Sequence, residues 1–272
     1  MNSKVYLVGK GRVAAGRGRR REKKMKDGFF RAAAVTPEIR VADPEYNREQ
    51  ICRLIEEGAK SGAAMMVFPE LCLTAYTCGD LFLQTPLIKS AREELLKIAE
   101  CTADKNMLVF VGLPWEHGGK LYNVAAVLSG GKLLGIVPKT HLPNYSEFYE
   151  QRHFTAGMES PVMTRWQGGS VPMGSRLLFR CREFPSLLVA AEVCEDVWVP
   201  CPPSIQHALA GALVIANCSA SDETVGKDSY RRELIAGQSA RLMCGYVYAN
   251  AGEGESTQDL VFGGHNIIAE NG

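Results

Sequence analysis

Three reactive side chains follow three predicted strands, each just past the point where an apolar run ends. Glu70 and Lys139 each come directly after a proline that closes a strand, and Cys194 lies just past the apolar run that begins at Ser186. An acid, an ammonium and a thiol can serve as general base, oxyanion stabiliser and nucleophile. Each has an ordinary explanation alone: a helix-cap acid, a solvated lysine, a small buried hydrophobe. The same arrangement three times favours one catalytic centre.

The roles within that centre follow from which residue types are present. A nucleophilic cysteine needs a base and a positive neighbour. No histidine lies in a setting comparable to these strand ends. Glu70 is therefore the candidate base and Lys139 the candidate cation for Cys194.

Short apolar strands that alternate with helices must position these residues. Asp43-Pro44 predicts a helix start, with Asp as N-cap and Pro at the first helical position, and Gly62 predicts its end. Ser129-Gly130-Gly131 predicts a hairpin turn, so the sheet is mixed. Residues 155–176 are rich in Gly and Pro and predict a long excursion. The other predicted strands are 31–36, 63–68, 107–112, 121–128, 132–137, 186–191, 212–216, 246–250, 261–262 and 266–269, and the other predicted helices are 87–102, 202–210 and 229–243. This alternation predicts an α/β fold whose sheet is covered by helices.

Composition is that of a globular protein without a membrane-spanning helix. The 272 residues are 46% hydrophobic and 22% charged, and no apolar run is long enough to cross a bilayer. Residues 1–24 hold nine Lys or Arg and one Glu, a net of +8, so the remainder carries −7. An acidic body argues against nucleic-acid binding, which depends on phosphate neutralisation. We expect residues 1–24 to be a disordered basic extension and residues 25–272 to form the catalytic domain.

The nine cysteines predict a reducing compartment, with the cytoplasm as the default location. Their number is odd, and no two of them form a Cys-x-x-Cys pair. This spacing is typical of buried thiols and of neither a disulfide framework nor a zinc site. The sequence stops at Glu270-Asn271-Gly272, immediately after a predicted strand, so we expect the domain to be incomplete.

Longer motifs around the three residues resemble the carbon–nitrogen hydrolase (nitrilase) superfamily, and within it the glutaminase domains of glutamine-dependent NAD(+) synthetases. The motifs are Phe-Pro-Glu-Leu-x-Leu-Thr-x-Tyr-x-Cys-Gly-Asp-Leu-Phe at 68–82, Pro-Lys-Thr-x-Leu-Pro-Asn-Tyr-x-Glu-Phe-Tyr-Glu at 138–150 and Cys-Glu-Asp-Val-Trp-Val-Pro at 194–200. The resemblance implies an α-β-β-α sandwich, a homo-oligomer, and hydrolysis of L-glutamine to glutamate and ammonia. It also implies a synthetase domain as the partner that receives the ammonia.

The resemblance also implies a role for each matching residue. Cys194 is the nucleophile that forms a thioester, Glu70 moves the protons, and Lys139 stabilises the oxyanion together with a backbone N–H near Cys194. The further implied residues are Glu147 as a second acid that orients Lys139, and Tyr145, Ser221 and Lys227 as glutamine-binding residues. Tyr76 and Phe148 are candidates either for lining the pocket or for packing in the core. No cofactor or metal is expected for the hydrolysis, and ATP and Mg²⁺ are expected only in a synthetase domain that this sequence does not include.

Two other functions remain open from the sequence. One is a nitrilase-type amidase that acts on a different amide or a nitrile, since the three reactive residues alone do not select glutamine. The other is a non-catalytic assembly partner that keeps the fold, although intact Glu70, Lys139 and Cys194 argue against decay of the site.

Overall fold

The computed structural model describes residues 29–272 together with the backbone of two short strands before them. Its α-helices, in chain order, are α1 (Pro44–Lys60), α2 (Thr85–Cys101), α3 (Pro203–Leu209) and α4 (Lys227–Leu242). Short 3₁₀ segments lie at Tyr76–Leu83, Glu150–Arg152 and Cys194–Val197. The last of these begins at the predicted nucleophile.

Fifteen strands are described, and thirteen of them form two mixed sheets. The first sheet has the order β1-β4-β5-β6-β7-β8-β10-β9, the second has the order β11-β12-β13-β14-β15, and β2 pairs only with β3. The strands are β1 (Val5–Val8), β2 (Met25–Lys26), β3 (Phe29–Phe30), β4 (Ala32–Val35), β5 (Met65–Val67), β6 (Leu108–His117), β7 (Lys120–Ser129), β8 (Lys132–Pro138), β9 (Val162–Trp166), β10 (Gly169–Met173), β11 (Phe179–Arg180), β12 (Leu188–Val193), β13 (Val214–Ser219), β14 (Gly245–Asn250) and β15 (Ile267–Glu270).

The sheets pack face to face, with helices on both outer sides. One apolar core lies between α1, α2 and the outer face of the first sheet, where Ile51, Leu95 and Val109 are buried. A second core lies between the two sheets, and a third joins α4 to the outer face of the second sheet. The predicted α-β-β-α sandwich with mixed sheets is therefore confirmed. The parallel pairs β4–β5–β6 and β12–β13–β14 direct their carboxyl ends toward the edge where the candidate residues lie.

The first helix begins where the sequence predicted. The Asp43 carboxylate accepts a hydrogen bond from Tyr46 N at 3.1 Å, and Pro44 occupies the first turn. Such a cap satisfies a backbone donor that the helix itself leaves unpaired. Ile51, Leu54 and Ile55 then face the core because they recur at helical spacing.

One hairpin was not predicted from the sequence, and one predicted strand is wrong. The excursion at 155–176 contains the hairpin β9–β10, which joins the edge of the first sheet through one parallel contact between Met173 and Ile136. The strand predicted at 261–262 is not formed, whereas the neighbouring prediction at 266–269 is confirmed as β15. A two-residue apolar run carries too little pattern to distinguish a strand from a loop that packs an aromatic side chain.

The cysteine prediction needs one correction. Cys52 of α1 and Cys101 of α2 form a disulfide, while the other seven cysteines are free. These two residues are 49 apart in sequence, so their pairing depends on how the two helices pack and has no local signal.

The predicted extension at 1–24 falls outside the described residues except for β1. That strand pairs antiparallel with β4, with Val5 opposite Val35. Among the described residues, none of the helices has the length and apolar character needed to cross a membrane.

Candidate active site

The three predicted catalytic residues stand at the ends of strands from both sheets. Glu70 follows β5 by three residues, Lys139 follows β8 directly, and Cys194 follows β12 directly. Cys194 has a φ of +43°, in the left-handed region that few non-glycine residues occupy. Such strained backbone is typical of functional sites and needs support from its surroundings. The packing of the two sheets brings the three side chains into one buried cluster.

Lys139 joins two buried carboxylates. Its Nζ lies 2.6 Å from Glu70 Oε1 and 2.6 Å from Glu150 Oε1, and the side chains of Lys139 and Glu70 are both fully buried. Burial alone lowers the pKa of Lys139, but the carboxylates of Glu150 and Glu70 more than offset this and hold that pKa well above its usual value. Lys139 is therefore a permanent, fixed cation.

Glu70 is held by contacts on both of its oxygens. Oε1 also accepts from Asn123 Nδ2 at 2.6 Å, and Oε2 accepts from Ala220 N at 3.0 Å. Gly112 of β6 lies against the backbone of residues 69–71, where a Cβ atom would collide with Pro69 O and Leu71 N. The Glu70 carboxylate is thus fixed in position by three elements, as a general base must be.

The Cys194 thiol belongs to the same cluster. Burial raises its pKa well above the ordinary value, and the negative charge of Glu70 adds to this, while the Lys139 ammonium and a hydrogen bond with Ser219 oppose it. The resting group is therefore the thiol. A thiol that acts as a nucleophile must lose this proton to a base, and of the two buried carboxylates Glu70 has the stronger electrostatic interaction with Cys194.

The second acid of the site is Glu150, so the predicted role of Glu147 is corrected. Glu150 Oε1 contacts Lys139 and also accepts from the Tyr76 hydroxyl at 2.8 Å. Burial raises the pKa of Glu150 to about 7. Glu147 instead lines a cavity of about 200 Å³ that Tyr76 and Glu150 also border. Both acids belong to the motif at 138–150, and spacing along a loop does not show which of them turns inward.

The predicted substrate-binding residues lie on two loops near the cluster. Tyr145 packs edge-on against Phe148, with ring centroids 5.8 Å apart, and its hydroxyl donates to Glu195. Lys227 Nζ lies 5.7 Å from the centre of the Phe148 ring and forms an ion pair with Asp222. These residues therefore form one neighbourhood that contains an exposed tyrosine, a cation and an acid.

Ser221 lies on the same loop as Asp222, and a buried arginine holds its side chain in place. The Arg231 guanidinium, fully buried, donates to Ser221 Oγ at 3.3 Å and to Asp222 O at 2.8 Å. Tyr76 lies apart from this group, at Glu150. The structure thus places Tyr145, Phe148, Ser221 and Lys227 together and Tyr76 beside the catalytic cluster.

Asp196 connects the two loops that carry Lys139 and Cys194. Its carboxylate accepts from Thr140 Oγ1 at 2.7 Å, His141 N at 2.9 Å and Val193 N at 3.0 Å. The segment after Lys139 and the turn at Cys194 are therefore joined through one fully buried side chain. Asp196 lies in the motif at 194–200, but no function was predicted for it from the sequence.

Known proteins of similar sequence identify the family of this chain. Residues 31–271 match the carbon–nitrogen hydrolase family model. The chain belongs to the carbon–nitrogen hydrolase family. It is 42% identical over 245 residues to the glutamine-dependent NAD(+) synthetase of Mycobacterium tuberculosis and 34% identical over 228 residues to that of Aquifex aeolicus. These alignments cover 90% and 84% of this chain, but the chain spans only 36% of each relative.

Solved structures show the same fold. A glutamine-dependent NAD(+) synthetase from Cytophaga hutchinsonii superimposes with a TM-score of 0.78 at 31% identity, over 87% of this chain and 38% of that one. An amidase from Nesterenkonia sp. superimposes with a TM-score of 0.67 at 22% identity, over 88% of this chain and 82% of that one. The second likeness shows the fold alone.

The Asp196 contact makes a testable pH prediction for this carbon–nitrogen hydrolase. The His141 Nδ1 atom lies 2.9 Å from Asp196 Oδ1, and this hydrogen bond raises the pKa of His141, with burial opposing it. The pair therefore adds stability below the ordinary histidine pKa of about 6.5 and loses it as pH rises through the raised value. Because the ring is partly exposed, the gain is under about 1 kcal/mol.

An NMR titration of the His141 ring measures this directly. We expect a midpoint above that of an unperturbed histidine, and we expect Asp196→Asn to move the midpoint back toward it. An unshifted midpoint in the unsubstituted chain would show that the two side chains do not pair in solution.

No metal ligand set is evident in the described part of this hydrolase, where no group of three or more His, Cys, Asp or Glu side chains is arranged to hold an ion. Three residues that hold the predicted ones or their loops in place were not predicted from the sequence: Asn123, Glu150 and Asp196. Glu150 and Asp196 lie within the motifs at 138–150 and 194–200, but a place in a motif does not show which acid turns inward, and Asn123 lies outside all three motifs.

Proposed function

We propose that this carbon–nitrogen hydrolase cleaves the side-chain amide of L-glutamine to glutamate and ammonia through a thioester at Cys194. The observation that carries the proposal is the buried cluster in which Lys139 bridges Glu70 and Glu150 and all three interact with the Cys194 thiol. The choice of glutamine is supported by the names of the relatives, which are glutamine-dependent enzymes.

The first half of the reaction forms the thioester. Glu70 accepts the thiol proton as the sulfur attacks the carboxamide carbon of glutamine. The oxyanion that develops accepts a hydrogen bond from the Lys139 ammonium. The N–H of Cys194 already donates to Asn217 Oδ1 at 3.0 Å, so we assign the backbone donor to the next residue, Glu195. The C–N bond then breaks, and Glu70 gives its proton to the departing ammonia.

The second half regenerates the thiol. Glu70 takes a proton from a water molecule that attacks the thioester carbonyl, Lys139 again stabilises the oxyanion, and the C–S bond breaks with return of the proton to sulfur. Glu150, the second carboxylate that contacts the Lys139 ammonium, keeps that ammonium in place throughout. Glutamate leaves, and no cofactor takes part.

The amino-acid head group is assigned to the neighbouring loops. Lys227 and Ser221 suit the α-carboxylate, since a cation and a hydroxyl both donate to it. Tyr145 contacts the substrate from the exposed side, Phe148 forms the apolar wall between it and Lys227, and Tyr76 closes the pocket beside Glu150.

The proposed role of the reaction is to supply ammonia for amidation of deamido-NAD. We infer a synthetase domain as the partner, either in a longer form of this chain or as a separate protein, and we assign ATP and Mg²⁺ to that partner. We further propose that the protein is a homo-oligomer in the cytoplasm, without nucleic-acid or membrane partners. The synthetase domain is supported by the length of the relatives named glutamine-dependent NAD(+) synthetase, of which this chain matches only 36%.

Ammonia release from a panel of amides tests the proposal. We expect the purified chain to release ammonia from L-glutamine with a kcat/KM at least about 10²-fold higher than from L-asparagine or acetamide, because a pocket with fixed polar partners rejects substrates that leave them unpaired. Preference for a simple amide or a nitrile would instead assign the chain to another branch of the family. Absence of turnover with every compound would favour the non-catalytic assembly partner.

A further inference from the structure

A line of buried polar side chains lies behind the Cys194 turn, in the second sheet. The Cys194 N–H donates to Asn217 Oδ1 at 3.0 Å, and Asn217 Nδ2 donates to the Tyr246 hydroxyl oxygen at 3.0 Å. The Tyr246 hydroxyl donates in turn to Glu192 Oε1. Glu192, Asn217 and Tyr246 stand on the three neighbouring strands β12, β13 and β14, and none of them is more than 1% exposed.

The direction of every hydrogen bond in this line is fixed at one end by the Cys194 N–H, which can only donate, and at the other end by Glu192 when that carboxyl group is ionised. Its second oxygen accepts from Ser204 N at 2.8 Å, so the carboxylate acts as an acceptor at both ends. The single proton of the Tyr246 hydroxyl is then committed to Glu192, and its oxygen is left to accept from an amide N–H. The Asn217 side chain must therefore present Nδ2 to Tyr246 and Oδ1 to Cys194.

That orientation matters because the backbone at Cys194 is strained. A non-glycine residue at a φ of +43° costs on the order of 1–3 kcal/mol and persists only when neighbouring groups hold it. If the Asn217 amide turned over, an N–H would face the Cys194 N–H, and a buried donor would lose its partner. The turn would then relax and move the sulfur relative to Glu70.

We propose that Glu192 and Tyr246 are positioning residues that act through Asn217 to hold the Cys194 turn in its reactive conformation. The kinetic part of this proposal rests on the proposed function, but the geometric part does not. Among the described residues, neither Glu192 nor Tyr246 forms a hydrogen bond or ion pair with Glu70 or Lys139, so we expect their effect to reach the thiol through the turn itself.

Tyr246→Phe and Glu192→Gln each break the line at a different point. Phenylalanine removes the acceptor for Asn217 Nδ2. Glutamine has one acceptor oxygen for two donors, so its amide nitrogen faces either Tyr246 or Ser204 N–H. Tyr122→Phe is the matched control, since Tyr122 is a buried tyrosine of β7 whose hydroxyl makes no hydrogen bond among the described residues.

Two readouts are measured on the purified chain, at about pH 8.5 so that Glu192 is ionised, because burial raises the pKa of Glu192 to about 7. We expect each variant to lower kcat for L-glutamine by about 10- to 100-fold with KM within about twofold, as a misplaced reactive group does. We also expect a roughly tenfold slower alkylation of Cys194 by iodoacetamide, followed by mass spectrometry of its peptide. The double variant should lose no more than the worse single variant, because both act on the same line.

The outcomes distinguish this proposal from the proposed function. If the unsubstituted chain does not hydrolyse glutamine, the proposed function fails, and the alkylation rates alone decide the positioning role. If Tyr246→Phe matches Tyr122→Phe in both kcat and alkylation rate, the positioning role is overturned. It is also overturned if the loss of activity in the variants follows their loss of melting temperature and KM rises by as large a factor as kcat falls. Should Tyr246→Phe not fold, the isosteric Glu192→Gln carries the same test.

Discussion

Replacing Cys194 with alanine is expected to abolish ammonia release from L-glutamine. Without sulfur there is no nucleophile to form the thioester, and no neighbouring side chain replaces it: Glu70 and Glu150 are both engaged with Lys139. Loss of a nucleophile removes most of the catalysis that its partners provide, so kcat should fall by at least about 10⁴-fold. The measurement is ammonia release under saturating glutamine.

The matched control is Cys201→Ala. Cys201 is a free, exposed cysteine seven positions after Cys194 and outside the buried cluster. We expect this variant to keep its activity within about twofold, as surface substitutions commonly do. Ammonia release that persists in Cys194→Ala but is lost in Cys201→Ala would show that the nucleophile is a thiol other than Cys194.

Lys139→Ala is expected to damage stability as well as activity. The substitution leaves two buried carboxylates, those of Glu70 and Glu150, without their shared cation. Removing one partner of a buried ion pair costs about 3–5 kcal/mol, which corresponds to a fall in Tm of roughly 10 °C for a chain of this size. Loss of an oxyanion donor should also lower kcat by about 10²- to 10³-fold. Thermal unfolding and ammonia release measure the two effects.

The loss of stability should depend on pH in a defined direction. The pKa of Glu150 is raised to about 7 by burial even with Lys139 present, and without the ammonium it rises further. A carboxyl group with a raised pKa stabilises the folded chain below its unfolded pKa and loses that contribution as pH rises through the folded value. The Tm deficit of Lys139→Ala should therefore be smaller near pH 5 than near pH 8.

Lys89→Ala serves as the control for this variant. Lys89 is an exposed lysine of α2 whose partner Glu93 is also exposed, so its removal should change stability by under about 0.5 kcal/mol. Equal Tm values for Lys139→Ala and Lys89→Ala would mean that Lys139 is not buried between two carboxylates.

The parts of the fold that were predictable are those with strong periodic patterns. The helix after Asp43 has a cap, a proline and apolar residues at helical spacing, and the structure confirms it. The hairpin β9–β10 was missed because Gly168, Gly169 and Pro172 interrupt the alternation that identifies a strand. Its strands lie at an edge of the first sheet, where half-exposed residues carry little hydrophobic signal.

The residues of the site also fall into those that the sequence indicates and those whose contacts depend on how the chain folds. The clustering of Glu70, Lys139 and Cys194 could be predicted because each follows a strand, and the ends of strands are fixed by the sheet. Glu150, rather than Glu147, reaches Lys139 because the chain turns into the 3₁₀ segment Glu150–Arg152, and nothing in the loop sequence specifies that turn. Asn217 and Tyr246 resembled ordinary strand residues, since their polar contacts form only when β12, β13 and β14 lie side by side.

The central claim is that the Cys194 sulfur, which interacts electrostatically with Glu70 and Lys139, carries the glutamyl group during turnover. The most direct measurement is acid quenching of the chain during glutamine hydrolysis, followed by mass spectrometry of its peptides. We predict a mass increase equal to one glutamyl group on the peptide that contains Cys194, released by hydroxylamine as glutamyl hydroxamate. Steady ammonia release with no acyl group on that peptide, or with the group on another cysteine, would contradict the account.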